Sequence, residues 1–178
     1  MLDIVKYILN DMNKQLDRMI KSLGQLDDDL IWHKQKASTN SIGNLCLHLA
    51  GNEYQNFVSA IGGKPFIRER SRGEFEPEGG ITKEELQNLL VQTRSQSTDI
   101  LASLSEMDLD REVEIRYSLE DWNHMHRTQA LENETYDRRV IRLLLIQVAA
   151  HYGYHAGQIV LLTKLYKDVD ENITGQYH

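Results

Sequence analysis

Four stretches of the chain read as helices, and where apolar residues step by three or four the run predicts an amphipathic one. From Ile4 to Leu23 the stripe is Val5, Ile8, Met12, Leu16, Met19 and Leu23. An acidic turn, "LDDDLIWHKQ" (26–35), follows and puts Trp32 where it can cover an end of the packed helices. In "STNSIG" (38–43), Ser38, Thr39, Asn40 and Ser41 offer N-caps for a second helix, which runs to about Ile61 and stops at Gly62-Gly63. Thr82 with Glu85 three residues on is a capping box that opens the third. Its apolar or small-residue face is Leu86, Leu89, Leu90, Thr93, Ser97, Ile100, Leu101 and Leu104. The fourth is expected from near Glu134 to about Leu165.

Two connections interrupt this order. Residues 62–80, "GGKPFIRERSRGEFEPEGG", hold both prolines, several glycines and alternating charge. They read as a solvated linker, with a lid or a dimer contact as the alternative. "REVEIRY" (111–117) alternates with period two and predicts a short strand, hairpin-paired with "WNHMHRT" (122–128) across "SLED". His124 and His126 would then share a strand face. Four helices of bundle length without an internal repeat predict an all-α fold. The expectation is one domain, 1–178, forming an antiparallel four-helix bundle with a small hairpin or irregular insertion before the last helix.

Composition narrows the function. A net charge of −7 with no concentrated basic run argues against nucleic acid as a partner. The single cysteine, Cys46, lies between Leu45 and Leu47 and reads as a buried hydrophobe, excluding an internal disulfide or a Cys-rich zinc module. The apolar stretch Val140 to Leu165 is broken by Arg142, Gln147, His151, His155 and Gln158, which suits an interior helix and not a membrane span. No secretory signal opens the sequence, so a cytoplasmic protein is expected.

The chemistry concentrates in "HYGYHAGQI" (151–159). At 100° per residue, Leu144, Val148, His151, His155, Gln158 and Leu162 fall on one core-facing stripe. Two adjacent buried imidazoles need partners for four ring nitrogens, and burying either as a cation costs several kcal/mol. A metal ion takes one lone pair from each ring. A third donor is available on the second helix, where His48 shares its line with Ser41, Asn44, Asn52 and Gln55. Spacing alone leaves a His48–His151–His155 metal site beside the plainer reading of core or surface histidines. Asn44, Asn52 and Gln158 are the candidates for the shell or pocket around it. No Asp or Glu lies on either histidine stripe, and Glu53 is about 140° from His48.

At "SIGNLCLHLAGNEYQNFVSAIGGKPFIRERS" and "AAHYGYHAGQIVLL" the chain resembles the DinB/YfiT-like superfamily, whose pattern is a histidine in the second helix and HxxxH in the last. The resemblance covers nearly the whole chain but departs at about 117–135, where extra residues stand. It implies a four-helix bundle, often a homodimer, with His48, His151 and His155 on a divalent metal, for which an all-imidazole ligand set favours zinc or nickel. It also implies a small-molecule substrate and a metal-dependent activity, either thiol S-transfer with a low-molecular-weight thiol or hydrolysis. A non-catalytic metal-binding stress-response protein is the alternative.

Overall fold

The stripe that begins at Ile4 becomes helix α1, Asp3–Gly24, in the computed structural model, which describes residues 1–175. The acidic turn winds into a short helix α2, Asp28–Trp32. The Trp32 ring lies so close to Gly43 that a Cβ there would meet it at 2.8 Å, and its Nε1 donates to the Ile81 carbonyl. Trp32 therefore closes one end of the packing, as its position in the sequence suggested. Helix α3, Ile42–Glu53, opens on a reciprocal box in which Ser41 Oγ accepts from the Asn44 N–H and Asn44 Oδ1 accepts from the Ser41 N–H. It continues as a wider, π-type turn over Tyr54–Ile61 and ends at Gly62. Helix α4, Lys83–Ala102, carries the predicted Thr82–Glu85 box. Of its predicted face, Leu86, Leu90, Thr93, Ser97 and Leu101 are buried, whereas Leu89 is exposed.

The region before the last helix departs from expectation. Strand β1, Glu112–Arg116, pairs antiparallel with a strand β2 at Tyr136–Val140, setting Ile115 opposite Asp137 and Val113 opposite Arg139. The stretch expected as its partner is instead helix α5, Leu119–His126. Ser118 explains this, since its hydroxyl accepts from the Asp121 N–H and starts a helical turn. Trp122 and His126 then stack at i, i+4, with ring centroids 4.1 Å apart. His124 and His126 thus lie exposed on a helix and share no strand face. Because 136–140 is extended, helix α6 begins at Ile141 rather than near Glu134, and runs to Lys167.

Among the described residues the protein is mostly helical with this one two-stranded sheet. Helix α1 packs on α4 and α6, and α3 packs on the same two. Their shared core includes Met12, Met19 and Leu23 of α1, Leu49 of α3, Leu90 and Leu101 of α4, and Leu145, Tyr152 and Ile159 of α6, all buried. No helix among the described residues is long and apolar enough to cross a membrane. A buried ion pair pins the four helices together. Arg94 of α4 holds both carboxylate oxygens of Glu53 on α3, at 2.7 and 2.9 Å. Its remaining nitrogen donates to Asn13 of α1, and its guanidinium lies 4.7 Å from the centre of the Tyr152 ring on α6. Burial works against the Arg94 charge, but Glu53 outweighs it and keeps the group above its ordinary pKa.

Removing one member of such a pair leaves the other buried and unmatched. Glu53→Ala should lower the free energy of unfolding by about 3–5 kcal/mol, measured by urea denaturation. Adding Arg94→Met should recover part of that loss. An unchanged midpoint for the single variant would show that the pair contributes nothing.

Candidate metal centre

Helix α3 presents His48 toward α6, where the i, i+4 spacing stacks His151 and His155 on one face. The ring centroids lie 4.6–5.0 Å apart pairwise. One donor atom from each of the three residues falls within 4.8 Å of the other two. The closest approach joins His48 Nε2 to His151 Nε2, at 2.9 Å. His48 is buried, and the other two are half-buried.

Two of the rings have a side-chain acceptor beside Nδ1. His48 Nδ1 lies 2.8 Å from Glu74 Oε2 and 3.1 Å from Arg68 Nη2; with the hydrogen on Nδ1 it donates to the carboxylate and leaves the Nε2 lone pair facing His151. His155 Nδ1 lies 2.6 Å from Gln158 Oε1, which leaves the second ring in the same state. A side-chain oxygen behind the ring is the arrangement that readies an imidazole for a metal. His151 has no such brace, and its Nδ1 is buried without a hydrogen-bond partner among the described residues.

Glu74 comes from the 62–80 connection, so the middle of that segment packs on α3 where a solvated linker was expected, while its two ends are exposed. Arg68 and Glu74 are both buried, and Arg68 binds both carboxylate oxygens, Nε to Oε1 at 2.6 Å and Nη2 to Oε2 at 2.8 Å. Gln55 accepts from Arg68 Nη1 and donates to the Arg116 carbonyl of β1. Asn44 does not reach the histidines. Its Nδ2 donates to the carbonyls of Glu74 and Pro77 and ties the connection to α3. Asp121 of α5 ties it from the other side, accepting from the Arg70 and Ser71 N–H groups and the Ser71 hydroxyl. Burial opposes the Asp121 charge, but the Ser71 and Ser118 hydroxyls and these N–H groups hold the carboxyl below its ordinary pKa. At Gly51, one turn beyond His48, a Cβ would run into Glu74 Oε1. The site needs a glycine there.

Asn52 lines a cavity of about 330 Å³ beside His48 and His151, together with Arg70, Tyr117, Asp137, Arg139 and Gln147. Gln158 contacts His155 as described. Sequence periodicity passed over Glu74 and Arg68, since Glu74 sits in a five-residue π-type turn, Ser71–Phe75, and Arg68 in the irregular stretch before it. The phenylalanines flanking that charged run were the available hint that it packs. Phe75 lies 5.0 Å from the His48 ring.

Burial pushes all three histidines below the usual imidazole range. His151 falls furthest, to about 3, through desolvation first and then through His48, His155, Arg68 and Arg70 nearby. The three rings are thus held as neutral lone-pair donors. Nitrogens about 2.1 Å from one ion sit about 3.0 Å apart at a right angle and about 3.4 Å at the tetrahedral angle. The 2.9 Å approach of His48 and His151 fits the former, and the cluster could hold a metal ion.

The chain belongs to the DUF1572 family, described as a protein of unknown function, whose profile matches residues 1–174. No curated protein matches it.

The lowered histidine pKa values set a pH dependence. The unfolded chain protonates these rings near pH 6.5 while the folded state keeps them neutral. Unfolding therefore takes up protons below that pH, and stability is full above about pH 6.5 and declines as the medium acidifies toward each folded value. Denaturant midpoints of metal-free protein between pH 7 and 5 should fall accordingly. His151→Leu should flatten the slope by up to one proton, and an identical slope in that variant would contradict the assignment.

Proposed function

We propose that this DUF1572 protein is a divalent-metal-dependent enzyme of the DinB/YfiT-like kind, with His48, His151 and His155 as the ligands. The convergence of three neutral imidazoles, two of them braced from behind, carries the reading. Helices α1, α3, α4 and α6 each pack on two of the others, which supports an antiparallel four-helix bundle around the site. Zinc or nickel suits an all-imidazole set. When bound, such an ion acts as a Lewis acid and makes a thiol or a water easier to deprotonate. The chain's part is to position and to move protons. Glu74 fixes the His48 ring, Gln158 fixes His155, and Asn52 and Gln147 line the space beside them. No carboxylate lies on the histidine faces, but Asp137 of β2 lines the cavity and accepts from the Tyr117 hydroxyl at 3.4 Å. Asp137 is the group placed to take a proton from an incoming nucleophile.

The reaction we infer is thiol S-transfer to a small electrophile, or hydrolysis by the same site, in the cytoplasm, where low-molecular-weight thiols stay reduced. A second reading is a non-catalytic metal-binding stress-response protein. It is favoured by the contact of Asp137 with Arg139 at 3.4 Å, which competes for the one carboxylate in the cavity. We also infer a homodimer. Along α6 the residues Leu143, Ile146, Tyr154, Leu161 and Leu165 are each more than half exposed, with open space at Gly153 and Gly157 between them. A second copy would cover this stripe.

Metal analysis and a thiol-conjugation screen test the first reading. Purified protein should bind about one zinc or nickel ion per chain, and His155→Ala should lose most of it with the helical signal intact. Glu74→Gln should weaken metal binding by about 10- to 100-fold, the usual effect of removing a histidine's carboxylate brace. Turnover that survives complete metal loss would overturn the enzymatic form. Metal binding with no turnover of any thiol or ester would favour the second reading. For the dimer, the chain should sediment at twice its 20.6 kDa, and Ile146→Glu should halve that mass without unfolding it.

A further inference from the structure

The cavity beside the histidines has an excess of positive charge on an otherwise acidic protein. Its arginines are Arg68, Arg70 and Arg139, set against Asp137. Arg68 is matched by Glu74, and Arg139 reaches Asp137 and the Arg138 carbonyl. Arg70 is different. Its guanidinium makes no hydrogen bond or ion pair with any described residue, and it lies 5.1 Å from the centre of the Phe75 ring. Its main chain is nonetheless fixed, because the Arg70 N–H donates to Asp121 at 3.0 Å. The side chain is half-buried and close enough to lower the proton affinity of both His48 and His151. A partly desolvated guanidinium, stacked on an aromatic face, anchored through its backbone and lacking an anion, is a ready receptor for one.

We propose that Arg70 binds a carboxylate of the substrate, with Arg139 and Tyr117 on the same cavity wall, so that the molecule's reactive end lies at His48 and His151. The one uncompensated charge selects a monoanion, and a planar fork matches a carboxylate bidentately. The volume, about 330 Å³, stands at the lower end for small-molecule sites and suits a short acid. The proposal rests on the reading above only in taking the three histidines as the reactive centre. Binding of the acid itself requires no metal.

Metal-free protein separates the two. Titration calorimetry with propionate should show saturable binding, with propionamide, its uncharged counterpart, binding at least tenfold more weakly. Arg70→Gln should weaken propionate about tenfold or more, and Arg70→Lys should restore part of that loss by keeping the charge without the fork. The helical signal and melting midpoint of Arg70→Gln should stay near those of the parent, since the side chain loses no hydrogen bond or ion pair, only its contact with the Phe75 ring. Equal binding of propionate and propionamide, no effect of Arg70→Gln, or tighter binding of inorganic phosphate than of propionate would each overturn the proposal. With zinc bound, 3-mercaptopropionate should bind more tightly than 2-mercaptoethanol, and Arg70→Gln should abolish that preference. If metal-loaded protein turns over uncharged thiols with no dependence on Arg70, the carboxylate proposal fails and the metal reading stands. If propionate binds as expected but no metal does, the reverse holds.

Discussion

The ion pair between Arg68 and Glu74 is the contact on which the histidine cluster depends. Both side chains are buried, and a charge taken out of water is tolerated only against a well-placed opposite charge with its remaining hydrogen bonds filled. That requirement spreads outward. The connection carrying both residues has to lie flat on α3, so position 51 has to be glycine and Asn44 has to hold the Glu74 and Pro77 carbonyls. The far edge needs Asp121 beneath the Arg70 and Ser71 amides, which requires helix α5 to start where Ser118 starts it. His48 inherits its orientation from all of these. A ring that looks like a single residue's contribution is held by three separate parts of the chain.

Helix α3 bears two buried carboxylate pairings whose roles differ by geometry alone. Glu53 lies five residues after His48, about 140° around the helix, and so faces α4. Arg94 uses both of its oxygens, and the pair joins helices without leaving an atom for chemistry. Glu74 also meets its arginine twice, but Oε2 is shared with His48 Nδ1. The same charge pairing is thus a fastener on one face of the helix and a means of setting a tautomer on the other.

The features legible in the sequence were those that repeat. Periodic burial located α1 and α4 to within a few residues, because each buries one stripe, whereas α3, buried on nearly every face, was located by its N-cap residues and the glycines that end it. The i, i+4 spacing of His151 and His155 and the polar line through His48 marked the cluster, since helical geometry alone brings such residues together. What could not be read were contacts set by tertiary approach. "TYDRRV" has no apolar alternation, and 136–140 becomes a strand only because the Glu112–Arg116 edge is there to pair with it. "WNHMHRT" alternates, but a cap at Ser118 and stacking of Trp122 on His126 favour a helix. Arg68 and Glu74 sat in a run whose alternating charges resemble a solvated loop. Charge pattern reports sign and spacing, whereas burial depends on which surface the loop meets.

The widened turn over Tyr54–Ile61 gives the site its last connection. An α-helix that takes an extra residue into one turn shifts the direction of the side chains around it, and such turns recur at functional sites. Here Gln55 lies buried at the start of the widened stretch, where it accepts from Arg68 and donates to the Arg116 carbonyl. A path of hydrogen bonds then runs from the His48 ring through Glu74, Arg68 and Gln55 to strand β1. Strand β1 is paired with the strand that carries Asp137 and Arg139. The back of the histidine cluster and the wall of the cavity beside it are therefore joined by one hydrogen-bonded path through buried side chains. The side chains along it are held by more than one contact each, so the donor atoms are positioned before any ligand arrives.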